Sequence, residues 1–201
     1  MDPERVRRNL ERVREQIGPD VEVLAAVKYV EAGGLPALAE AGIELVGENR
    51  AQELLEKQAA HGDLFTWDFI GQLQSRKVKD VAPHVRLIHS LASDSALGKL
   101  EQHPAKEVLV QVNVAGEEGK AGIAPEELAD FIARVPVPVT GLMTMPPFVD
   151  RPEDNRRHFA RLAELAGEHG LARLSMGTSQ DYAVAAEEGA TIVRLGSVLY
   201  E

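Results

Sequence analysis

The chain has 201 residues, 44% hydrophobic and 27% charged, which suits one soluble globular domain with a sizeable core. Its net charge of −10 at pH 7 argues against a nucleic-acid backbone as partner, because neutralising phosphates needs a dominant basic surface. Cysteine is absent, which excludes disulfides, zinc thiolates and cysteine nucleophiles, and no apolar run approaches the ~18 residues that suggest a membrane span.

The start, Met1-Asp2-Pro3-Glu4, is a helix start and not a signal peptide, with Asp2 capping and Pro3 at the first helical position. A cytoplasmic protein is the default expectation. A helix over about 3–17 comes first. Short apolar, often β-branched runs then recur at roughly 21–27, 44–47, 66–70, 86–89, 107–113, 139–143, 171–176 and 191–195. Helical patterns lie between them at 35–41, 50–60, 76–81, 94–102, 125–134, 153–169 and 180–188. Strands alternating with helices imply βαβ units and a parallel sheet. Eight units in a single domain over residues 1–201 favour a closed α/β barrel of the (β/α)8 (TIM) type, with the leading helix filling the outer slot after the last strand. The alternative is a doubly wound open sheet.

In a parallel barrel the active residues sit at the carboxyl ends of the strands. The unusual residues fall there. Strand one ends at Lys28, strand two in Gly47-Glu48-Asn49, and strand three in Gly71-Gln72-Leu73-Gln74. Asn113 and Gly116–Lys120 follow strand five, and Thr144-Met145-Pro146-Pro147 follow strand six. Strand seven runs into Ser175-Met176-Gly177-Thr178-Ser179, and strand eight carries Arg194 and ends in Gly196-Ser197.

The last two turns carry the strongest local signal. Barrels commonly bind phosphate there through backbone N–H groups and a helix N-terminus, and glycine lets the backbone approach the oxygens. Ser179 could instead be only an N-cap, and Gly177 and Gly196 only turn residues. Period-two alternation puts Ile192, Arg194 and Gly196 on one face, so Arg194 is buried or site-lining. It either forms a structural ion pair, with Glu48 for example, or faces a ligand heteroatom. Lys28 is either a solvated lysine at a strand end or an imine-forming amine opposite the phosphate site. Asn49 and Gln52 fit a capping box for the helix that follows, though the Asn49 amide could also face the site. Arg76, Lys77 and Lys79 read as a solvated helix face, Met143 and Met145 as core or site-lining residues. The histidines show no metal-ligand spacing, and no metal site is expected.

These residues, taken in order, resemble the pyridoxal phosphate homeostasis protein family (the YggS- and PROSC-like proteins). The matching pieces are Ala26-Val27-Lys28, Gly47-Glu48-Asn49, Gln52-Glu53, Phe69–Gln74 with Lys77, and Val110–Asn113 with Gly116-Glu117 and Lys120–Gly122. Gly141–Thr144, Leu174–Gly177 and Val193–Gly196 complete them. The family is similar to the barrel domain of bacterial alanine racemase without its second, β-rich domain. The resemblance implies pyridoxal 5′-phosphate (PLP) held as a Schiff base on Lys28. It implies Ser175, Gly177, Ser179, Gly196 and Ser197 around the phosphate, with Met143 and Met176 in the same cofactor set. Arg194 would face the pyridine nitrogen, and Asn49 would lie beside the cofactor. Departures are Val27 where many members have Ser, Gln72 where many have His, and Thr178 where many have Met. A terminal helix seen in many members is expected to be short or absent.

The chemistry expected is holding the cofactor, not turning over substrate. PLP is a strong electron sink only with its ring nitrogen protonated, and an arginine there keeps the proton off. Racemisation also needs bases on both faces, and no tyrosine among Tyr29, Tyr182 and Tyr200 sits in a recognisable motif. The expectation is therefore a monomeric PLP-binding protein of vitamin B6 homeostasis that could serve PLP-dependent apoenzymes. The alternatives are a weak PLP-dependent amino-acid racemase and a Schiff-base phosphosugar barrel enzyme.

Overall fold

The computed structural model describes all residues, 1–201. Eight parallel strands close into a barrel in chain order: β1 (Glu22–Ala26), β2 (Leu45–Glu48), β3 (Thr66–Phe69), β4 (Leu87–Leu91), β5 (Val108–Gln111), β6 (Val139–Met143), β7 (Arg173–Ser175) and β8 (Ile192–Leu195). Closure is direct: β1 pairs with β8 from Glu22↔Ile192 to Ala25↔Leu195, which rules out the open-sheet alternative.

The helices are α1 (Pro3–Ile17), α2 (Leu35–Glu40), α3 (Ala51–His61), α4 (Val78–Val81), α5 (Asp94–Gln102), α6 (Leu128–Ala133), α7 (Arg156–Glu168), α8 (Tyr182–Glu187) and α9 (Ser197–Tyr200). Helix α1 begins as its sequence dictates, with Asp2 Oδ1 accepting from Glu4 N at 3.1 Å and Pro3 in the first turn. Its Val6, Leu10, Val13 and Ile17 recur every three or four residues and are buried. That face packs on α2, α8 and α9, so α1 does occupy the outer slot beside the last strand. Asn9 Nδ2 donates to Leu199 O (3.2 Å) and Tyr182 Oη to Gln16 Oε1 (2.6 Å). The terminal helix is the single turn α9.

Local chemistry trims several expected elements. The helix expected over 76–81 is a 3-10 turn, Ser75–Lys77, followed by α4. Helix α8 starts at Tyr182 because Asp181 Oδ1 accepts from Thr178 N (2.7 Å) and Thr178 Oγ1 (3.1 Å), closing a turn first. Strand β5 stops at Gln111: Val112 bridges to Ile123, and Asn113 exchanges side-chain bonds with the Glu117 backbone (2.9 and 3.2 Å).

Alternation along the strands divides the interior in two. The larger cluster lies between strands and helices. The smaller fills the lumen with Leu24, Leu45, Leu87, Leu109, Met143 and Ile192. Below it, at the amino-terminal mouth, Arg86 pairs with Glu22 (2.5 Å) and Asp68 (2.7 Å), and Arg173 with Glu107 (2.7 Å). The lumen is thus filled by side chains, and a ligand site is left to its carboxyl-terminal mouth.

Candidate functional site

At that mouth lies a cavity of about 820 Å³, lined from the ends of several strands. Lys28, Asn49, Met143, Ser179, Arg194, Gly196 and Ser197, all expected from the sequence, line it. A second cavity of about 610 Å³ sits at the opposite mouth beside Trp67 and Arg86, away from the strand ends where barrels do chemistry.

Three residues of the expected set lie elsewhere. Ser175 faces the lumen beneath the cavity, fully buried, bonded to Arg194 Nη1 (2.6 Å) and His89 Nδ1 (2.8 Å). Met176 is one position on and therefore faces the helix shell, and its N–H is committed to Ile192 O (3.1 Å). Gly177 has a positive φ of 89°, and a Cβ there would stand 2.6 Å from Ala185 Cβ, so glycine lets the turn pass close under α8. Asn113 and Lys120 are not in the lining, whereas Gln111 and Ala121 are.

Arg194 forms no pair with Glu48. Its Nη1 holds Ser175 and its Nη2 donates to Thr144 O (2.8 Å), while Nε–H donates to no group of the protein. Burial lowers its pKa to about 10, with the Asp181 carboxylate pulling the other way, so it remains a cation at neutral pH. Glu48 is bonded to Lys57 instead (2.5 Å), and both are buried. Lys57 Nζ also donates to Val27 O (2.7 Å), tying α3 to the residue before Lys28.

The expected capping box does not form. Glu48 Oε1 takes the N–H groups of Asn49 (2.6 Å) and Arg50 (3.3 Å), and Gln52 turns outward to Glu56 (2.9 Å). The buried carboxylate thus takes the N–H that the Gln52 side chain would have capped. Asn49 Oδ1 is left buried without a partner, at the edge of the cavity. A buried unsatisfied acceptor is costly, and a ligand donor is the natural remedy.

Lys28 is exposed, and its amine rests 4.6 Å from the centre of the Tyr29 ring. Ser179 is no helix cap. Its Oγ accepts from Gly196 N (3.0 Å) and Val198 N (3.4 Å), so the turns after β7 and β8 are stitched together. The N–H groups of Ser179 and Gln180 find no acceptor in the protein. Tyr200 donates to Ala26 O (3.1 Å), and burial raises its pKa above the usual phenol range, so it is not placed to act as a base. Tyr29 (85% exposed), Met145 (48%) and Phe148 (83%) form an apolar rim.

A primary amine, a buried arginine with one free donor, a glycine- and serine-lined pair of turns and an orphaned amide oxygen thus share one barrel mouth. This is a small-molecule site on a (β/α)8 barrel. The family model of the alanine racemase N-terminal domain matches residues 1–201. The pyridoxal phosphate homeostasis protein of Aquifex aeolicus is 42% identical over 98% of this chain and 96% of its own. The solved structure of PipY from Synechococcus elongatus PCC7942 with PLP bound superposes with a TM-score of 0.84 at 31% identity, covering 98% of this chain and all of PipY. An alanine racemase from Clostridium difficile, 15% identical, shares the barrel fold with a TM-score of 0.76 over 56% of its length. The chain belongs to the pyridoxal phosphate homeostasis protein family, within the alanine racemase N-terminal domain type.

Proposed function

We propose that this protein binds PLP at the carboxyl-terminal mouth and takes part in intracellular vitamin B6 homeostasis, holding the cofactor as an imine of Lys28. The observation that carries the reading is a single cavity lined by Lys28, Arg194 and the turns that Ser179 stitches together. The residues fit the group. Free backbone N–H donors at Ser179 and Gln180 suit a phosphate, the unused Arg194 Nε–H suits a neutral ring nitrogen, and the orphaned Asn49 Oδ1 needs a donor.

When bound, PLP supplies an aldehyde for the imine and a ring that can accept electrons. Lys28, whose amine stands exposed at the mouth, would be the residue that holds the aldehyde end covalently. Ser179, Gly196 and Ser197 hold the phosphate end, and Met143 floors the cavity. Arg194 stays charged and cannot hand a proton to the ring nitrogen, so it keeps the electron sink weak. Tyr200 is committed to Ala26 O, and Tyr29, the tyrosine beside Lys28, lies exposed on the rim, so neither is held as a second base and the reading is a carrier, not a racemase. In this reading the protein is a cytoplasmic monomer that could supply PLP-dependent apoenzymes. The likeness to the A. aeolicus and PipY proteins supports the cofactor assignment.

The test is an absorption spectrum of purified protein incubated with PLP. A yellow band that borohydride fixes onto residue 28, lost in Lys28→Ala, is expected. Protein that stays colourless and cannot be loaded overturns the reading and favours a phosphosugar enzyme. Rapid α-deuteration of L-alanine by the loaded protein in deuterated water would make it a racemase.

A further inference from the structure

Polar groups rarely run end to end through a barrel lumen, because each must be satisfied away from water. Here they do. Arg86, at the amino-terminal mouth, donates to Asp68 through Nε (3.0 Å) and Nη2 (2.7 Å) and to Glu22 through Nη1 (2.5 Å). Asp68 Oδ2 meets His89 Nε2 at 3.0 Å, His89 Nδ1 meets Ser175 Oγ at 2.8 Å, and Ser175 Oγ meets Arg194 Nη1 at 2.6 Å. Asp68, His89 and Ser175 are all 0% exposed. The chain enters on β3 and β4 and crosses to β7 and β8 on the far side.

Elementary chemistry fixes the direction of every bond. Asp68 is an acceptor: burial alone would raise its carboxyl, but the bonds from His89 and Arg86 outweigh that and leave it below the usual range. Nε2 of His89 therefore carries the proton. Burial lowers the His89 pKa and the cations Arg194 and Arg86 oppose its charging, so the ring is neutral and Nδ1 is bare. Bare Nδ1 needs a donor, and the Ser175 hydroxyl is the one within reach. Ser175 then keeps its lone pairs for Arg194, which can only donate. Reversing any one bond would put two donors or two acceptors face to face.

We propose that His89 is the positioning residue for Arg194. Set in its Nε2–H form by Asp68, it turns the Ser175 hydroxyl so that Ser175 and Thr144 O clamp the two Nη atoms and the Nε–H is left for the ligand's ring nitrogen. The inference rests on the cofactor reading above. It adds that ring-nitrogen recognition is controlled from the opposite wall of the barrel.

The test compares two aldehydes, PLP and its 1-deaza analogue, whose ring nitrogen is replaced by CH. Wild type should prefer PLP by about tenfold to a hundredfold, the worth of one hydrogen bond from a charged donor. His89→Leu should lose most of that preference while binding the deaza analogue as wild type does. His89→Gln, whose amide can donate to Asp68 and accept from Ser175, should restore it. Ser175→Ala, which leaves the Asp68–His89 bond intact, gives the same comparison if His89→Leu does not fold. In the ligand-free protein, ¹⁵N NMR of His89 should show the Nε2–H tautomer at pH 7. A His89→Leu protein that retains the preference, an equal loss on both aldehydes, equal binding by wild type, or an Nδ1–H tautomer overturns the proposal. A wild type that loads neither aldehyde overturns the cofactor reading instead, and the NMR result then still judges the hydrogen-bond direction.

Discussion

Lys57→Met is the sharpest test of what holds the top of β2 in place. Methionine keeps most of the side-chain volume but removes the ammonium. Glu48 is 0% exposed and Lys57 6%, so the variant leaves a carboxylate in the interior with Asn49 N and Arg50 N as its remaining donors. Val27 O loses its donor as well. Breaking one side of a buried ion pair costs about 3–5 kcal/mol. That is a large share of the ~5–15 kcal/mol by which a domain is stable. Urea unfolding followed by the fluorescence of Trp67, the sole tryptophan and a buried one, reads the loss directly. Adding Glu48→Gln should recover more than half of it, because the cost lies in the stranded charge and not in the missing contact. A Lys57→Met protein within about 1 kcal/mol of wild type, the range of an exposed pair, would refute the reasoning. So would a double variant less stable than the single one.

Two further outcomes follow from the site. Folded His89 is neutral because burial lowers its pKa, whereas unfolded histidine protonates below about pH 6.5. The unfolded state therefore binds more protons on acidification, and stability present above pH 6.5 is lost as the pH falls below it; between pH 7 and 5.5 urea unfolding should show a loss of about 1 kcal/mol that is absent in His89→Gln. Ser179→Ala removes the acceptor shared by Gly196 N and Val198 N and should cost about 1 kcal/mol. If those turns hold phosphate, its affinity for PLP should fall more than its affinity for pyridoxal, which has none, and an equal fall would remove the turns from the phosphate site.

The barrel was legible because eight apolar runs alternate with helical patterns, and because glycine and polar residues gather after the runs. The same pattern places Lys28, Arg194 and the Ser179 and Gly196 turns at one mouth of the barrel, where they line a common cavity. Boundaries failed where side chains made local turns, as Asp181 does with Thr178 and Asn113 with Glu117. Ser175 and Met176 show what motif order misses: they are neighbours, yet the pleat sends one into the lumen and the other into the helix shell. The Glu48–Lys57 pair was hidden because its partners lie on different elements and only packing brings them together. Asp68 and His89 left a readable trace. Alternation in β3 and β4 places Asp68 and His89 on the lumen face, and a polar residue on that face of a central strand must have a partner there.

The filled lumen also limits traffic. With Leu24, Leu45, Leu87, Leu109, Met143 and Ile192 packed across it, and Arg86 and Arg173 paired below, no passage runs through the barrel. Whatever occupies the upper cavity must enter and leave on the carboxyl-terminal side, where Tyr29, Met145 and Phe148 form the exposed rim. On the carrier reading proposed above, loading and release would therefore share one side of the barrel.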